Sequence, residues 1–307
     1  MKKDFISIAD FSKEEIEELL ELSSFVKKNI RKEKYTPLQG KILGMLFEKT
    51  STRTRLSFEV GMKRLGGDAI FLSSQHTQLS KGESWPDTAR VLSRYVDAIM
   101  IRTFEHKRIL DLAEYATVPV VNGLSDLLHP CQVLGDMFTI KEHFKTLNVK
   151  ISYIGDGNNM ANSWLLGAAV MGLNLHIATP LDFSPSGSIV QKSLQIAEKT
   201  KAKIMLTTNP KQAIEDAQVV YTDVWTSMGK EETPLRNEMF KPYQVNDELL
   251  SHTSKDFVFM HCLPAHRGKE VTDEIIDSKH SIVWQQAENR TYVQAAILIK
   301  LLEENND

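Results

Sequence analysis

The feature that most constrains the fold is a regular alternation of short, mainly apolar runs with amphipathic helical patterns. Runs of this kind are typical of parallel strands that are buried on both faces. The first series of runs comprises 41–47, 68–72, 97–101 and 118–121, with helical patterns at 88–96 and near 106–116. The second series comprises 151–154, 174–178, 203–206, 219–222, 257–262 and 281–284.

Two successive strand–helix series predict an α/β protein with two open parallel-sheet domains, helices on both faces of each sheet, and an active-site cleft between the domains. The first domain is predicted to span 1–138 and the second 139–287, with a helical pattern at 132–147 as the connector. The last helical pattern, 286–302, is expected to fold back so that 288–307 joins the first domain. Ser12 and Glu15 form a capping box, which predicts a helix directly after Ser12.

Charge and composition exclude several classes of protein. The chain of 307 residues has a net charge of -3 and a pI near 6.3, so no overall basic field would attract nucleic acid or an anionic membrane. The N-terminal segment lacks the apolar centre of a signal peptide, and no run approaches the ~18 apolar residues of a membrane span. Cys131 and Cys262 are expected to be free thiols in a reducing compartment. We therefore expect a cytoplasmic protein without nucleic-acid or membrane partners.

Ligand sites in open parallel sheets collect at the carboxyl ends of the strands, so residues directly after each apolar run are the candidates. After the first run, Ser51 or Thr52 can cap a helix, and Arg53 adds a permanent positive charge. A helix N-terminus with such donors predicts a site for an anion. Further candidates after other runs are Arg102, His129, Gln132, Asp223, Ser227, Met228 and the segment 261–268.

Other patterns favour ordinary structural roles. Arg55 and Glu59 are four residues apart and predict an ion pair on a helix surface. Cys131 is expected to be a small buried side chain. The cysteines and histidines lack the paired spacing of a zinc site, so no metal is expected. The loop 155–159, "GDGNN", lacks the third glycine of a dinucleotide-binding pattern, and no cofactor is expected.

Four segments resemble, in order and spacing, those of the ornithine carbamoyltransferases: "STRTR" (51–55), "HPCQ" (129–132), "DVWTSMG" (223–229) and "HCLP" (261–264). The first two mark the wider aspartate/ornithine carbamoyltransferase superfamily, and the last two are typical of its ornithine branch. The resemblance covers essentially the whole chain. It implies that the first domain binds carbamoyl phosphate, that the second binds L-ornithine, and that the protein is a homotrimer with sites at subunit boundaries.

The resemblance also implies roles for individual residues. The carbamoyl phosphate site would comprise Ser51, Thr52, Arg53, Thr54, Gln78, Arg102, His129, Gln132, Cys262, Leu263 and Arg290, with Gln78 reaching across a subunit boundary. The ornithine site would comprise Asn159, Asp223, Ser227 and Met228. The expected catalytic residues are Asp223, Cys262, Arg102 and His129.

The chemistry of carbamoyl transfer agrees with these residue types. Cations in the first domain suit the negative charge that develops on the departing phosphate. Asp223 and Cys262 are placed to orient an amine and to accept its proton. The predicted reaction is direct attack of the δ-amine of L-ornithine, which gives L-citrulline and phosphate without a covalent intermediate on Cys262. Carbamoyl phosphate is expected to bind first, and 227–232 is predicted to be a mobile flap.

Two alternative functions remain open at this point. One is a carbamoyltransferase for another amine, such as putrescine or an N-acylated ornithine. The other is a non-catalytic regulatory homologue, although the "STRTR" and "HPCQ" segments are both intact. The sequence also leaves open whether such an enzyme would serve arginine synthesis or arginine breakdown.

Overall fold

The computed structural model describes residues 3–226 and 232–304. The chain divides into two compact units, which we call unit 1 (1–138 with 288–307) and unit 2 (139–287). Each unit is built on one parallel sheet. The prediction of two parallel-sheet α/β domains with helices on both faces is confirmed.

Unit 1 contains a four-stranded sheet. Its strands are β1 (Ile42–Phe47), β2 (Asp68–Ser73), β3 (Ala98–Arg102) and β4 (Val120–Leu124), in the spatial order β2-β1-β3-β4. Its helices are α1 (Lys13–Asn29), α2 (Thr52–Arg64), α3 (Trp85–Leu92) and α4 (His106–Tyr115), with 3-10 turns at Ile8–Asp10, Ser74–His76 and Gln78–Lys81. Residues 130–138 of helix α5 (Pro130–Phe144) belong to unit 1, and residues 139–144 belong to unit 2.

Strand pairing in unit 1 determines where the candidate residues meet. The central strand β1 is almost wholly buried, and Phe47 at its end pairs with Arg102 at the end of β3. Parallel strands end at the same edge of their sheet. The first residues of α2 and the side chain of Arg102 therefore emerge at one edge.

Unit 2 contains a five-stranded sheet. Its strands are β5 (Lys150–Ile154), β6 (Asn174–Ala178), β7 (Lys203–Thr207), β8 (Val219–Thr222) and β9 (Val258–His261), in the spatial order β7-β6-β5-β8-β9. Its longer helices are α6 (Asn159–Met171) and α7 (Gly187–Thr200). Shorter helices are α8 (Pro210–Ile214), α9 (Pro234–Phe240), α10 (Asp247–Leu250) and α11 (Asp273–Ile276), with 3-10 turns at Leu181–Phe183 and Lys241–Tyr243. Residues 283–287 of the last helix, α12 (Val283–Glu304), belong to unit 2, and its later residues belong to unit 1.

The core of unit 2 lies around β5 and β8, where Tyr153, Trp164 and Tyr221 are fully buried. The rings of Tyr153 and Tyr221 stack with centroids 5.8 Å apart, and Trp164 meets Tyr221 edge-on. Burial of three large aromatic side chains contributes several kcal/mol to stability, on the order of 2 kcal/mol each. This packing supports the edge from which the loops after β5 and β8 emerge.

Several helix predictions are confirmed, with shifted ends. Ser12 accepts a hydrogen bond from the Glu15 N–H, and the Glu15 side chain accepts one from the Ser12 N–H, so α1 begins with a capping box. Helix α3 ends at Leu92, four residues before the predicted end, since the chain must turn there into β3.

The strand predicted at 118–121 starts instead at Val120, because Pro119 has no N–H to donate to a ladder.

The strand predicted at 281–284 is wrong. Ser281 forms an isolated bridge with Phe259, and Val283 is already the first residue of α12. A short apolar run cannot be assigned to a strand rather than a helix from periodicity alone. None of the helices within 3–226 and 232–304 has the length and apolar character needed to cross a bilayer.

Gly157 lies in the loop between β5 and α6, where the backbone of 183–185 packs directly against it. Its N–H donates to the carbonyl of Phe183 over 2.8 Å. A Cβ on Gly157 would lie 2.3–2.4 Å from backbone atoms of Phe183, Ser184 and Pro185. The glycine is therefore required by this close approach of two chain segments, which is a structural reason for the "GDGNN" loop.

Replacing Gly157 with alanine is expected to destabilise unit 2. The new methyl group meets backbone, which cannot move as a flexible side chain would, so we expect a loss of about 1–3 kcal/mol. Gly187→Ala is the matched control, because a Cβ there has no heavy atom within 4 Å and alanine favours the helix that begins at this residue. Urea unfolding of both variants measures the difference, and equal stability of the two would contradict this account.

Candidate active site

The N-terminus of α2 forms the first part of the candidate site. Ser51 is the N-cap, and its hydroxyl accepts a hydrogen bond from the Thr54 N–H over 3.1 Å. Thr52 is the first residue of the helix and is exposed, whereas Arg53 is half-buried. The first N–H groups of a helix lack partners within the helix and carry the positive end of its dipole. This arrangement favours binding of an anion.

The hydroxyl of Thr54 lies at the centre of the positive charge in unit 1. Arg290 donates from Nη2 to Thr54 Oγ1 over 2.8 Å, and Arg102 donates from Nη1 to the same oxygen over 3.4 Å. All three side chains are buried. Because Oγ1 accepts from two guanidinium groups, the Thr54 hydroxyl proton is directed elsewhere and is available to an acceptor such as a phosphate oxygen.

His129 directly precedes α5 and is buried beside this positive charge. Burial lowers the pKa of His129 well below its usual value, and the nearby Arg290 and Arg102 lower it further. The imidazole is therefore neutral at physiological pH. A neutral imidazole can donate a single hydrogen bond to a carbonyl oxygen without bringing a third positive charge into the site.

Gln132 lies on the first turn of α5 and is also buried. Its Nε2 donates a hydrogen bond to Asp136 Oδ1 over 2.8 Å. Its Oε1 is buried and has no hydrogen-bond partner among the described residues. Gln132 thus presents an acceptor that a ligand with an N–H group could satisfy.

Cys131 and Arg55 have the structural roles that the sequence predicts, and Gln78 lies on the surface of unit 1. Cys131 is fully buried, and burial raises the pKa of its thiol to about 12, so it is unreactive. Arg55 pairs with Glu59 over 3.3 Å and stacks on Phe71, as the ion-pair interpretation predicted. Gln78 is exposed at the start of the 3-10 turn Gln78–Lys81.

In unit 2, three loops leave the same edge of the sheet. Ile154 pairs with Thr222, and Thr222 pairs with His261. The residues that follow these three positions, which include Asp223 and Cys262, therefore emerge side by side. This register explains why residues about 40 positions apart in sequence meet in one cluster.

Asn158 is the N-cap of α6, and its amide orientation is fixed from both ends. Its Oδ1 accepts hydrogen bonds from Met160 N over 2.8 Å and from the Tyr153 hydroxyl over 3.2 Å. Its Nδ2 donates to Asp223 Oδ2 over 2.8 Å. The carboxylate of Asp223 is thereby held in one orientation in a buried position.

The other oxygen of Asp223 is also engaged. Asp223 Oδ1 accepts from the Val224 N–H over 2.8 Å and from Cys262 Sγ over 3.0 Å. In this hydrogen bond the Cys262 thiol is the donor and the Asp223 carboxylate is the acceptor.

His261 fixes the backbone immediately after Cys262. Its Nδ1 accepts from the Leu263 N–H over 2.8 Å, so the ring proton lies on Nε2, which faces Glu270 Oε1 at 3.3 Å without the alignment of a hydrogen bond. Leu263 has φ +57°, an unusual conformation for a residue with a side chain, which costs on the order of 1 kcal/mol. The hydrogen bond from the Leu263 N–H to the buried His261 ring helps to hold this conformation.

Asp223, His261 and Cys262 each place one possible ligand atom within 4.8 Å of the others. Both nitrogens of His261 already face protein groups, Leu263 N–H and Glu270, so a metal ion would have to displace one of them. Two further ligands remain, and they are hydrogen-bonded to each other. A zinc site needs at least three available ligands, so this arrangement does not fit one.

Sequence reasoning missed three buried polar residues of unit 2, which are Asn158, Asp156 and Arg236. Asn158 was detectable, because an asparagine before an apolar helix is a typical N-cap. Asn159, which the resemblance named, is the half-buried first residue of α6. Arg236 donates to Trp225 O over 2.8 Å and pairs with Asp156 over 2.9 Å. Arg236 and Asp156 are 80 residues apart, and no local pattern signals such a pairing.

Ser227, Met228 and nearly all of the predicted flap 227–232 lie outside the described residues. The chain on either side is well anchored, since buried Arg236 stacks on Phe183 and Phe240 while it holds the carbonyl of Trp225.

Both halves of the chain match family models. Residues 3–142 match the carbamoyl-P binding domain of the aspartate/ornithine carbamoyltransferases, and residues 147–301 match their Asp/Orn binding domain. The ornithine carbamoyltransferase of Anoxybacillus flavithermus is 54% identical over 303 residues, which cover 98% of this chain and 96% of the relative. That of Carboxydothermus hydrogenoformans is 51% identical over 98% of this chain and 97% of the relative.

Solved structures agree with the sequence relatives. Ornithine carbamoyltransferase from Pyrococcus furiosus superposes with a TM-score of 0.93 at 49% identity, over 97% of this chain and 96% of that chain. The anabolic ornithine carbamoyltransferase of Campylobacter jejuni superposes with a TM-score of 0.94 at 44% identity, over 98% and 99% of the two chains. The chain therefore belongs to the aspartate/ornithine carbamoyltransferase family.

Proposed function

We propose that the protein transfers the carbamoyl group of carbamoyl phosphate to the δ-amine of L-ornithine, giving L-citrulline and phosphate. The observation that carries this proposal is that relatives matched along nearly the whole chain are ornithine carbamoyltransferases. A transferase for another amine and a non-catalytic homologue are not favoured by those relatives. A cytoplasmic location and a reaction without a cofactor stay predictions from the sequence.

Unit 1 is proposed to bind carbamoyl phosphate. The phosphate would lie at the N-terminus of α2, where Ser51, Thr52, Arg53 and Thr54 provide hydroxyl, N–H and guanidinium donors. Arg102 and Arg290 support this position, because both converge on the Thr54 hydroxyl from buried positions. Two buried guanidinium groups repel each other, and a dianion between them would relieve that repulsion.

The carbamoyl group is proposed to lie against His129 and Gln132. Arg102 and the neutral imidazole of His129 would donate hydrogen bonds to the carbonyl oxygen and stabilise its negative charge as the amine attacks. Gln132 Oε1 would accept from the carbamoyl amino group. The family resemblance also assigns Cys262 and Leu263 to this ligand.

Unit 2 is proposed to bind ornithine around Asp223, with Asn159, Ser227 and Met228 as further contacts. The free δ-ammonium has a pKa close to lysine's ~10.4, so it must lose a proton before it can attack. Asp223 is held by Asn158 and Cys262 so that its carboxylate can orient the amine. The amine nitrogen then bonds to the carbonyl carbon as the bond to the phosphate oxygen breaks, and the released proton passes to Asp223 or to the departing phosphate.

The assembly is proposed to be a homotrimer in which Gln78 of one subunit reaches the phosphate of its neighbour. The exposed position of Gln78 on a surface turn of unit 1 supports this role, since a residue that acts on another subunit has to be accessible. Sedimentation velocity at assay concentrations measures the subunit number, and an active monomer would refute the proposal.

A colorimetric citrulline assay with purified protein tests the proposed function. We expect carbamoyl phosphate to yield product with L-ornithine, and much less product with putrescine or N-acetylornithine. The two analogues serve as matched controls, because each keeps a primary amine but changes the α-substituents. Preference for either analogue, or no turnover of any amine, would contradict the proposal.

Arg53 and Arg55 are expected to separate binding from stability. Arg53→Ala should lower kcat/KM for carbamoyl phosphate by about 10²–10³-fold, because it removes a charge from the phosphate site. Arg55→Ala is the matched control, since its half-exposed ion pair with Glu59 is worth less than ~1 kcal/mol. Steady-state kinetics and thermal unfolding of both variants distinguish these effects, and similar kinetic losses in both would refute the assignment.

Cys262 is expected to assist the reaction without becoming carbamoylated. Cys262→Ala should lower kcat by about ten- to hundredfold through loss of the hydrogen bond to Asp223. Cys262→Ser keeps a donor of similar shape and should retain more activity than the alanine variant. Intact-mass spectrometry during turnover of the unaltered enzyme should show only the unmodified chain; an adduct of one carbamoyl group on Cys262 would establish a covalent route instead.

A further inference from the structure

We propose that Asp136 is a positioning residue that holds the Gln132 amide in one orientation and so makes the enzyme select a carbamoyl over an acyl group. This inference rests on the proposed function, because it concerns how carbamoyl phosphate is recognised. Asp136 was not among the residues that the sequence pointed to. It lies four residues after Gln132 on α5, on the same face of the helix.

The contact between the two side chains is direct and shielded from water. Gln132 Nε2 donates to Asp136 Oδ1 over 2.8 Å. Asp136 is 0% exposed and Gln132 is 1% exposed. The low polarity of such a buried position strengthens a hydrogen bond relative to one in water.

The polarity of this contact decides what Gln132 offers to a ligand. A glutamine amide has a donor end and an acceptor end, and in this contact the Asp136 oxygen accepts from the donor end. Asp136 therefore binds the Nε2 end and leaves Oε1 as the end that faces away from it. That oxygen is buried without a hydrogen-bond partner in the part of the chain that the structure describes, which is unfavourable unless a ligand donates to it.

The surroundings place this acceptor beside the carbamoyl phosphate site. His129, three residues earlier in the chain, lies within the electrostatic influence of Arg102 and Arg290, the two guanidinium groups that bind Thr54. The amino group of carbamoyl phosphate has two N–H donors and no useful acceptor. An oxygen at this position can accept a hydrogen bond from that amino group. An Nε2 group there could not, because both groups are donors.

An acyl phosphate has a methyl group in place of that amino group and is nearly the same size. Shape alone discriminates poorly between such isosteres, but a site whose buried acceptor is left unpaired rejects the wrong one strongly. The fixed Gln132 amide would therefore provide the discrimination, and Asp136 would be the residue that maintains it.

Two stable phosphonates test the inference on the intact enzyme. Phosphonoacetamide and acetonylphosphonate share the phosphonate, methylene and carbonyl groups and differ only in an amino or a methyl group. By titration calorimetry the unaltered enzyme should bind phosphonoacetamide about tenfold or more tightly than acetonylphosphonate. In Asp136→Asn the new amide can donate to Gln132 as well as accept from it, so the affinity ratio should fall by about threefold or more.

A matched control separates positioning from stability. Asp97→Asn makes the same exchange in unit 1, at a carboxylate that accepts from the Ile42 N–H over 2.8 Å. It should lower the unfolding temperature and leave the phosphonate ratio unchanged. If Asp136→Asn fails to fold, Gln132→Met provides the second variant, since it removes the acceptor and should abolish the preference.

The outcomes distinguish this inference from the proposed function. An unaltered enzyme that forms citrulline but binds both phosphonates equally would overturn the role of Asp136. A folded Asp136→Asn variant with an undiminished ratio would overturn it as well. Absence of citrulline formation by the unaltered enzyme would instead overturn the proposed function.

Discussion

Two buried guanidinium groups that share one hydroxyl define the chemistry of unit 1. Arg102 and Arg290 come from a strand and from the last helix, yet both donate to Thr54 Oγ1. Burial of like charges so close together is unfavourable unless an anion or fixed acceptors balance them. The pKa of His129, lowered by burial and by these two arginines, keeps the imidazole neutral and limits the accumulated charge. The unit is organised to receive negative charge.

Unit 2 is organised around a negative charge instead. The carboxylate of Asp223 is buried, and its two oxygens accept from Asn158, Val224 and Cys262. Each donor compensates part of the cost of removing the carboxylate from water. Because the same strand register that places Asp223 also places Cys262, the orientation of this charge follows directly from the order of strands in the sheet.

Local sequence signals predicted the parts of this structure that depend on neighbours in the chain. The capping box at Ser12, the N-cap at Ser51 and the apolar strands β1, β5 and β6 follow from patterns of a few residues. The segment 281–284 failed because its apolar residues are compatible with both a strand and the buried start of α12. The register between strands is a tertiary property, so the sequence could place Asp223 and Cys262 at strand ends but could not bring them within hydrogen-bond distance.

Supporting residues were hardest to predict, and their physical role explains why. Buried amides need a definite orientation, and each unit achieves it with a buried carboxylate: Asp136 binds the nitrogen of Gln132, and Asp223 binds the nitrogen of Asn158. In both pairs the carboxylate accepts from the amide nitrogen, which is Nε2 of Gln132 or Nδ2 of Asn158. The amide oxygen then remains for another partner. For Asn158 that atom caps a helix, whereas for Gln132 it has no protein partner among the described residues. A carboxylate that orients a buried amide therefore stabilises a helix start in unit 2 and serves ligand recognition in unit 1. The difference lies in the amide oxygen, which has protein donors in Asn158 and none among the described residues in Gln132.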